Sequence, residues 1–197
     1  SIMIGDATTG TIDAANYNTG LGIDIFAALT TGDNNVAVGF AALDAVTTGG
    51  TNVAIGSNTL GANTTASDNT GVGYAVLLAN TTGSNNTGVG VNSLQANTTA
   101  DDNVAVGRNS LIANTTGANN TAVGSRALDA NTTAASNTGI GYAALGANTT
   151  GTENTAVGKG AADATTTGSY NVAMGNDALG ANTTGAENTA LGYRSLV

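Results

Sequence analysis

One pattern of hydrophobic and polar residues recurs along the chain with a constant period of 17 residues. An Asn, taken as repeat position 1, precedes Thr or Val, then Ala or Gly, an aliphatic residue at position 4 and Gly at position 5. Position 9 is usually Leu, and positions 12 to 14 usually read Asn-Thr-Thr. After a partial copy at 1–17, the copies begin at Asn18, Asn35, Asn52, Asn69, Asn86, Asn103, Asn120, Asn137, Asn154, Asn171 and Asn188. This constant period predicts a single stacked solenoid over 1–197, of about 11.6 coils, without separate domains.

The short repeat favours strands over helices. Helical solenoids need roughly 33–47 residues per repeat, because each repeat holds two or more helices. Positions 2 to 4 alternate, as in Val36-Ala37-Val38, and this alternation predicts a strand with positions 2 and 4 on one face. The stretch from position 8 to position 14 predicts a second strand, with corners at Gly of position 5 and at Gly or Ala of position 15. The expected fold is an all-β parallel β-roll or β-solenoid, a rod of roughly 55 Å.

Stacking such coils turns each repeat position into a column of side chains. We expect Asn at position 1 to form a buried ladder of amides, and Asn at position 12 to do the same. The position-1 ladder includes Asn52, Asn69, Asn86, Asn103, Asn120 and Asn137. Positions 4 and 9 are the expected core columns, and which of them fills the coil and which faces another subunit is left open. These columns include Val72, Val89, Val106, Val123, Leu77, Leu94, Leu111 and Leu128.

Composition and charge exclude several functional classes. The chain has no His and no Cys, which excludes Cys/His zinc sites and Ser-His-Asp or Cys-His catalytic units, and we expect no enzymatic activity. Four basic against thirteen acidic residues give a net charge of −9, the wrong sign for nucleic acid or anionic lipid. No apolar run approaches the ~18 residues of a membrane span, so we expect no membrane insertion within this segment.

Three columns are candidates for contact with a ligand. The variable position 6 carries aromatic and basic side chains suited to a glycan or a matrix protein: Phe40, Tyr74, Arg108, Tyr142, Lys159 and Tyr193.

Threonines at position 14, with Asn of position 12 as a second outward column, would form a regular array of the ice-binding kind: Thr65, Thr82, Thr99, Thr116, Thr133 and Thr150. Acidic residues at positions 16 and 17 indicate a solvated corner, with calcium as the alternative: Asp33, Asp68, Asp101, Asp102, Glu153 and Glu187. We expect no other cofactor.

The motif at positions 1 to 5 resembles that of a known family. Asn35–Gly39 (N-V-A-V-G), Asn52–Gly56 (N-V-A-I-G) and Asn154–Gly158 (N-T-A-V-G) are similar to the S-V-A-I-G motif of YadA-like heads in trimeric autotransporter adhesins. Related repeats occur in phage-type tail fibres and other trimeric fibre proteins. The resemblance covers essentially the whole chain, and it implies a parallel β-roll that assembles as a homotrimer.

These observations predict a structural and adhesive segment of an extracellular trimeric fibre, on a cell surface or a virion. Its partners would be its own copies, in a homotrimer and in end-to-end filaments, and a host glycan or matrix protein. One alternative is a segment of a phage or phage-like tail fibre. The other is an ice-binding β-solenoid that uses the Thr and Asn arrays.

Overall fold

The computed structural model describes residues 2–4 and 14–197, which form a parallel β-solenoid without helices. Each coil contributes one short strand, and all of the strands pair in parallel, in sequence order, in a single sheet. Every strand residue lies opposite the residue 17 positions later, as in Thr70↔Thr87. The strands are β1 (Ile2–Ile4), β2 (Thr19–Leu21), β3 (Val36–Val38), β4 (Val53–Ile55), β5 (Thr70–Val72), β6 (Thr87–Val89), β7 (Val104–Val106), β8 (Thr121–Val123), β9 (Thr138–Ile140), β10 (Thr155–Val157), β11 (Val172–Met174) and β12 (Thr189–Leu191). The predicted all-β solenoid with a 17-residue repeat is confirmed.

Within the strands, the small residue at position 3 points into the coil. Ala37 and Ala105 are fully buried, and a Cβ at Gly71 would lie 2.5 Å from Cγ2 of Thr59. In β2–β12 the narrow interior therefore holds only Ala or Gly at this position. Because successive strand residues face opposite sides of a sheet, positions 2 and 4 point outward.

Of the two aliphatic columns between which the sequence could not choose, position 4 is therefore the one that does not fill the coil. Val72, Val89 and Val106 are half-buried on the outer side of the sheet, and Val123 is 36% exposed. The pleat that buries position 3 forces these aliphatic side chains out of the coil.

The interior of the coil is filled instead by position 9 and its neighbour at position 8. Leu77, Leu94, Leu111 and Leu128 are all fully buried, as predicted. Position 8 supplies smaller buried residues, among them Val76 in the coil of Leu77. Fully burying one such leucine contributes about 1.5–3 kcal/mol, so this column is the principal apolar core of the rod.

The second strand predicted between positions 8 and 14 does not form in the described coils. The backbone there turns repeatedly, and its leucines adopt the left-handed conformation, with φ of 51° at Leu77 and 48° at Leu111. This conformation lets two consecutive side chains, Val76 and Leu77, both enter the interior, which a regular strand does not allow. The coils are still hydrogen-bonded here, since Leu77 N–H donates to Ser93 O at 3.1 Å and Ala79 N–H donates to Gln95 O at 3.0 Å.

The corner at position 5 requires glycine, as predicted. Gly107 has φ of 135°, and a Cβ on it would lie 2.6 Å from the carbonyl oxygen of Gly124 in the next coil. Position 15 is a buried, tightly packed corner that does accept alanine, as at Ala66 and Ala100.

Two buried asparagine ladders join successive coils. In the position-1 ladder, the Asn69 N–H donates to Asn52 Oδ1 at 3.1 Å, and Asn69 Nδ2 donates to Gly83 O at 2.9 Å. In the position-12 ladder, Asn80 Nδ2 donates to Asn63 Oδ1 at 3.2 Å and to the same Gly83 O at 2.8 Å. The predicted position-1 column is fully buried at Asn52, Asn69, Asn86, Asn103, Asn120 and Asn137. The two ladders thus fix each coil to its neighbours and tie positions 1, 12 and 15 together inside it.

Candidate binding surfaces

The outward side of the strands forms one apolar surface, here called the outer sheet face, made of positions 2 and 4 of β2–β12. Position 2 alternates irregularly between Thr and Val, whereas position 4 is aliphatic in every strand. The more exposed residues of position 4 range from Val123 at 36% to Leu191 at 63%. A parallel sheet normally has both faces covered. The outer sheet face is therefore the part of the rod that most needs a partner.

Position 6 follows the glycine corner and forms a separate edge, here called the aromatic edge. Phe40, Tyr74 and Tyr142 are 50–54% exposed on it. Arg108 and Lys159 are also exposed, and Tyr193 is 74% exposed. The structure therefore places every predicted contact residue of this column at the surface, in one file along the rod.

A shallow depression lies beside the aromatic edge at Tyr142. Its volume is about 270 Å³, and its lining residues include Arg126, Asp129 and Asp163. Arg126 Nε donates to Asp129 Oδ2 at 2.8 Å, and this hydrogen bond, together with the nearby Tyr142 hydroxyl, raises the pKa of Arg126 above its usual value.

Sequence reasoning missed this Arg126–Asp129 pair because both residues occupy variable positions, 7 and 10. Their spacing of three residues was the one signal that connected them.

The threonines of position 14 also form an exposed column. Thr65, Thr82, Thr99, Thr116, Thr133 and Thr150 all lie at the surface. The second outward column predicted for position 12 is wrong, since Asn63, Asn80 and Asn97 are fully buried in their ladder. The hydroxyl of position 13 is also engaged, as Thr81 Oγ1 donates to Thr98 O at 3.1 Å. The exposed array is therefore one hydroxyl file wide.

The acidic corner at positions 16 and 17 caps backbone groups of the neighbouring coil. Asp101 Oδ1 accepts a hydrogen bond from Ser84 N–H at 2.7 Å, and Ser84 Oγ in turn accepts one from Ser67 N–H at 3.2 Å. Asp102, Asp68, Glu153 and Glu187 are exposed beside them. Among the described residues, no three carboxylate, His or Cys side chains come together as a group that could hold a metal ion.

Two carboxyls outside this corner, those of Asp44 and Asp163, have perturbed acidities. Burial raises the pKa of the Asp163 carboxyl and the Asp177 carboxylate adds to the shift, while hydrogen bonds from backbone groups of Asp163 itself and of the next residue act in the opposite direction. Burial raises the pKa of the Asp44 carboxyl above its ordinary value, and the Asp24 carboxylate in the preceding coil adds to the shift. Hydrogen bonds from backbone groups of Asp44 and Ala45 act in the opposite direction.

In the part of the chain that the structure describes, no helix has the length and hydropathy to span a bilayer. Comparisons of the chain with protein-family models, with curated proteins and with solved structures found no match. Function must therefore be inferred from the chain's own surfaces.

Proposed function

We propose that the chain is a structural and adhesive segment of an extracellular fibre in which three copies associate through the outer sheet face. The observation that carries this proposal is the unbroken file of aliphatic side chains at position 4, running from Leu21 to Leu191 on the outside of the rod. Strand spacing makes that file about 50 Å long. Contiguous apolar surfaces of this extent mark interaction sites in soluble proteins.

The fit of the face to a second copy supports self-association. The sheet is in register and without bulges along its whole length, so its outward columns are straight and regularly spaced. The face carries Val, Ile, Leu, Met and Thr and no charged residue in β2–β12. It therefore suits a dry contact with an equally regular surface, as in interfaces between obligate subunits.

The number of copies is proposed from the motif of positions 1 to 5. Its resemblance to YadA-like heads points to a three-fold arrangement. Each subunit would then turn its aliphatic column toward the common axis and its variable columns toward solvent. A trimer of this kind acts as a rigid spacer that displays each surface three times, and avidity offsets weak single contacts.

Solution mass from light scattering during size-exclusion chromatography tests the proposal. We expect a mass near three times the 18.9 kDa of one chain. A mass near 18.9 kDa across a wide concentration range would contradict the assembly.

A phage-type tail fibre remains the alternative within the same architecture. An adhesin and a tail fibre differ in what this segment is attached to, so the flanking sequence distinguishes them. A membrane-anchored β-barrel would indicate an adhesin, and a self-cleaving chaperone domain would indicate a tail fibre.

Ice binding is a second candidate, favoured by the exposed threonine column of position 14. The burial of Asn63 and its equivalents narrows the array to one file of hydroxyls, which weakens this reading. Thermal hysteresis and ice-crystal shaping test it. A monomeric mass combined with thermal hysteresis would replace the fibre proposal with this one.

A further inference from the structure

Between Phe40 and Tyr142, the large planar side chains of the aromatic edge recur at every second coil; Tyr193 lies three coils beyond Tyr142 and is outside this series. Phe40, Tyr74, Arg108 and Tyr142 are separated by 34 residues each time. The coils between them carry the smaller residues Ser57, Val91 and Ser125. Because neighbouring strands are about 4.8 Å apart, the planar groups stand about 9.6 Å apart along the rod.

The edge is also where the chain concentrates its positive charge. All four basic residues occupy positions 6 and 7, and they are Arg108, Arg126, Lys159 and Arg194. The aromatic edge itself carries Arg108 and Lys159 and no acidic residue in the copies from Asn18 onward, in a chain with net charge −9. Arg108 can also present a flat guanidinium in line with the tyrosines, since guanidinium groups stack as aromatic rings do.

Polar groups lie beside the stacking surfaces at Tyr142. The Arg126–Asp129 pair lines the depression, Arg126 interacts with the Tyr142 hydroxyl, and Asp163 of a later coil also lines the depression. Such a depression offers one donor group and two acceptor groups to hydroxyls of a bound molecule.

We propose that the aromatic edge binds an extended β-1,4-linked glycan lying parallel to the rod axis. In such a glycan each sugar is turned over relative to the last, so the same ring face returns at every second sugar, a distance that closely matches the two-coil spacing. Each planar side chain then packs against one sugar face, and the Arg126–Asp129 pair hydrogen-bonds to hydroxyls beside Tyr142. This inference rests on the proposed adhesive role and names the chemical class of its ligand.

Several aligned planar groups matter because each contact is weak. One aromatic–sugar contact alone is too weak to hold a ligand, whereas contacts at successive sites on one rigid rod reinforce each other.

Isothermal titration of the intact chain with cellohexaose tests the proposal, with laminarihexaose, its β-1,3-linked isomer, as the matched ligand. We expect cellohexaose to bind and laminarihexaose to bind at least tenfold more weakly, because its curved chain does not repeat a ring face along a straight line. Equal affinity for the two, or no binding of either, overturns the proposal.

Matched variants locate the site. We expect Tyr74→Ala and Tyr142→Ala each to weaken cellohexaose binding by about threefold to tenfold. Tyr170→Ala is the control, since Tyr170 is 54% exposed like Tyr74 but lies at position 17, off the edge. A loss at Tyr170→Ala equal to that at Tyr74→Ala places binding elsewhere and overturns the assignment.

A further variant tests the spacing of the rings on the aromatic edge separately from the amino-acid composition of that edge. The double variant Tyr74→Val with Val91→Tyr moves one ring by a single coil and leaves the overall composition unchanged. We expect it to bind as weakly as Tyr74→Ala, and full retention of affinity would overturn the role of the two-coil spacing. The solution mass of the same samples keeps the two proposals apart: binding by a monomer refutes only the trimer, and a trimer without binding refutes only this inference.

Discussion

At the residue scale, the position-12 ladder shows where the repeat is imperfect. It runs without interruption from Asn63 to Asn148, each Nδ2 donating to the Oδ1 of the coil before it over 2.8–3.2 Å. The next coil has Thr165 at this position, and the buried Oδ1 of Asn148 is left without a hydrogen-bond partner. An unsatisfied buried acceptor costs roughly 1–3 kcal/mol, so this step of the ladder is a local weak point.

Restoring the ladder should stabilise the rod. We expect Thr165→Asn to raise the free energy of unfolding by about 1 kcal/mol, since its amide can donate to Asn148 Oδ1. Urea-induced unfolding followed by circular dichroism measures the change. Thr166→Asn is the control, because Thr166 Oγ1 already donates to Thr183 O at 3.0 Å and its replacement removes a contact. Unchanged or reduced stability of the Thr165 variant would contradict the ladder account.

The glycine corner gives a second prediction at this scale. We expect Gly107→Ala to lower the free energy of unfolding by about 3 kcal/mol, because φ of 135° and the carbonyl 2.6 Å from a new Cβ both disfavour any side chain. Gly61→Ala is the matched control, since its Cβ would come no closer than 3.4 Å to any neighbour. We expect the control to change stability by less than about 1 kcal/mol. Equal melting temperatures for the two variants would show that the corner does not require glycine.

At the scale of one coil, the two aliphatic columns have different roles. Leu111 is fully buried inside the coil, whereas Val106 lies half-buried on the outer sheet face. We expect Leu111→Asp to abolish folding, because it places an unpaired charge in an apolar interior. Val106→Asp should leave the chain folded by circular dichroism and reduce the solution mass toward that of one chain.

Arg108→Ala serves as the control for both substitutions, since its exposed side chain takes part in neither the interior nor the outer sheet face. It should change neither the circular dichroism spectrum nor the mass. If Val106→Asp unfolds the chain as Leu111→Asp does, the assignment of position 4 to the outside of the rod fails.

The sequence predicts the coil well where side-chain pattern determines it and poorly where the backbone departs from common conformations. Regular spacing fixed the period, the strand and the glycine corner. Alternation showed that positions 2 and 4 share a face, but it could not show which face is inward. The small residues at position 3, such as Ala37, were the available sign of a narrow interior. The second strand was mispredicted because leucine rarely adopts the left-handed conformation seen at Leu77 and Leu111.

The candidate surfaces were likewise predicted where residue type marks them and missed where they depend on how the chain folds. Residue type alone marked the aromatic edge, because aromatic and basic side chains are rare in this chain. The Arg126–Asp129 pair could not be found in this way, since it depends on how positions 7 and 10 come together beside Tyr142. The outer sheet face could be recognised only once position 3 was seen to be buried.

At the scale of the whole molecule, the rod behaves as a stack in which each coil contacts mainly its neighbours. Deletion of whole repeats should therefore preserve the fold. Removing 86–102 joins Asn85 at position 17 to Asn103 at position 1, and removing 86–119 joins Asn85 to Asn120 in the same way. We expect both deletions to fold, with urea unfolding that shifts modestly as the number of stacked interfaces falls.

The two deletions differ in how they leave the aromatic edge. Taking out one coil places Tyr74 three coils from Tyr142, so that rings no longer fall on alternate coils. Taking out two coils removes Arg108 but places Tyr142 two coils after Tyr74, the same step that separates Phe40 from Tyr74. We expect the one-coil deletion to lose affinity for cellohexaose by at least threefold and the two-coil deletion, although shorter, to retain it. Isothermal titration of both proteins with cellohexaose measures these affinities. Stronger binding by the one-coil deletion would show that ring spacing along the rod does not determine cellohexaose binding.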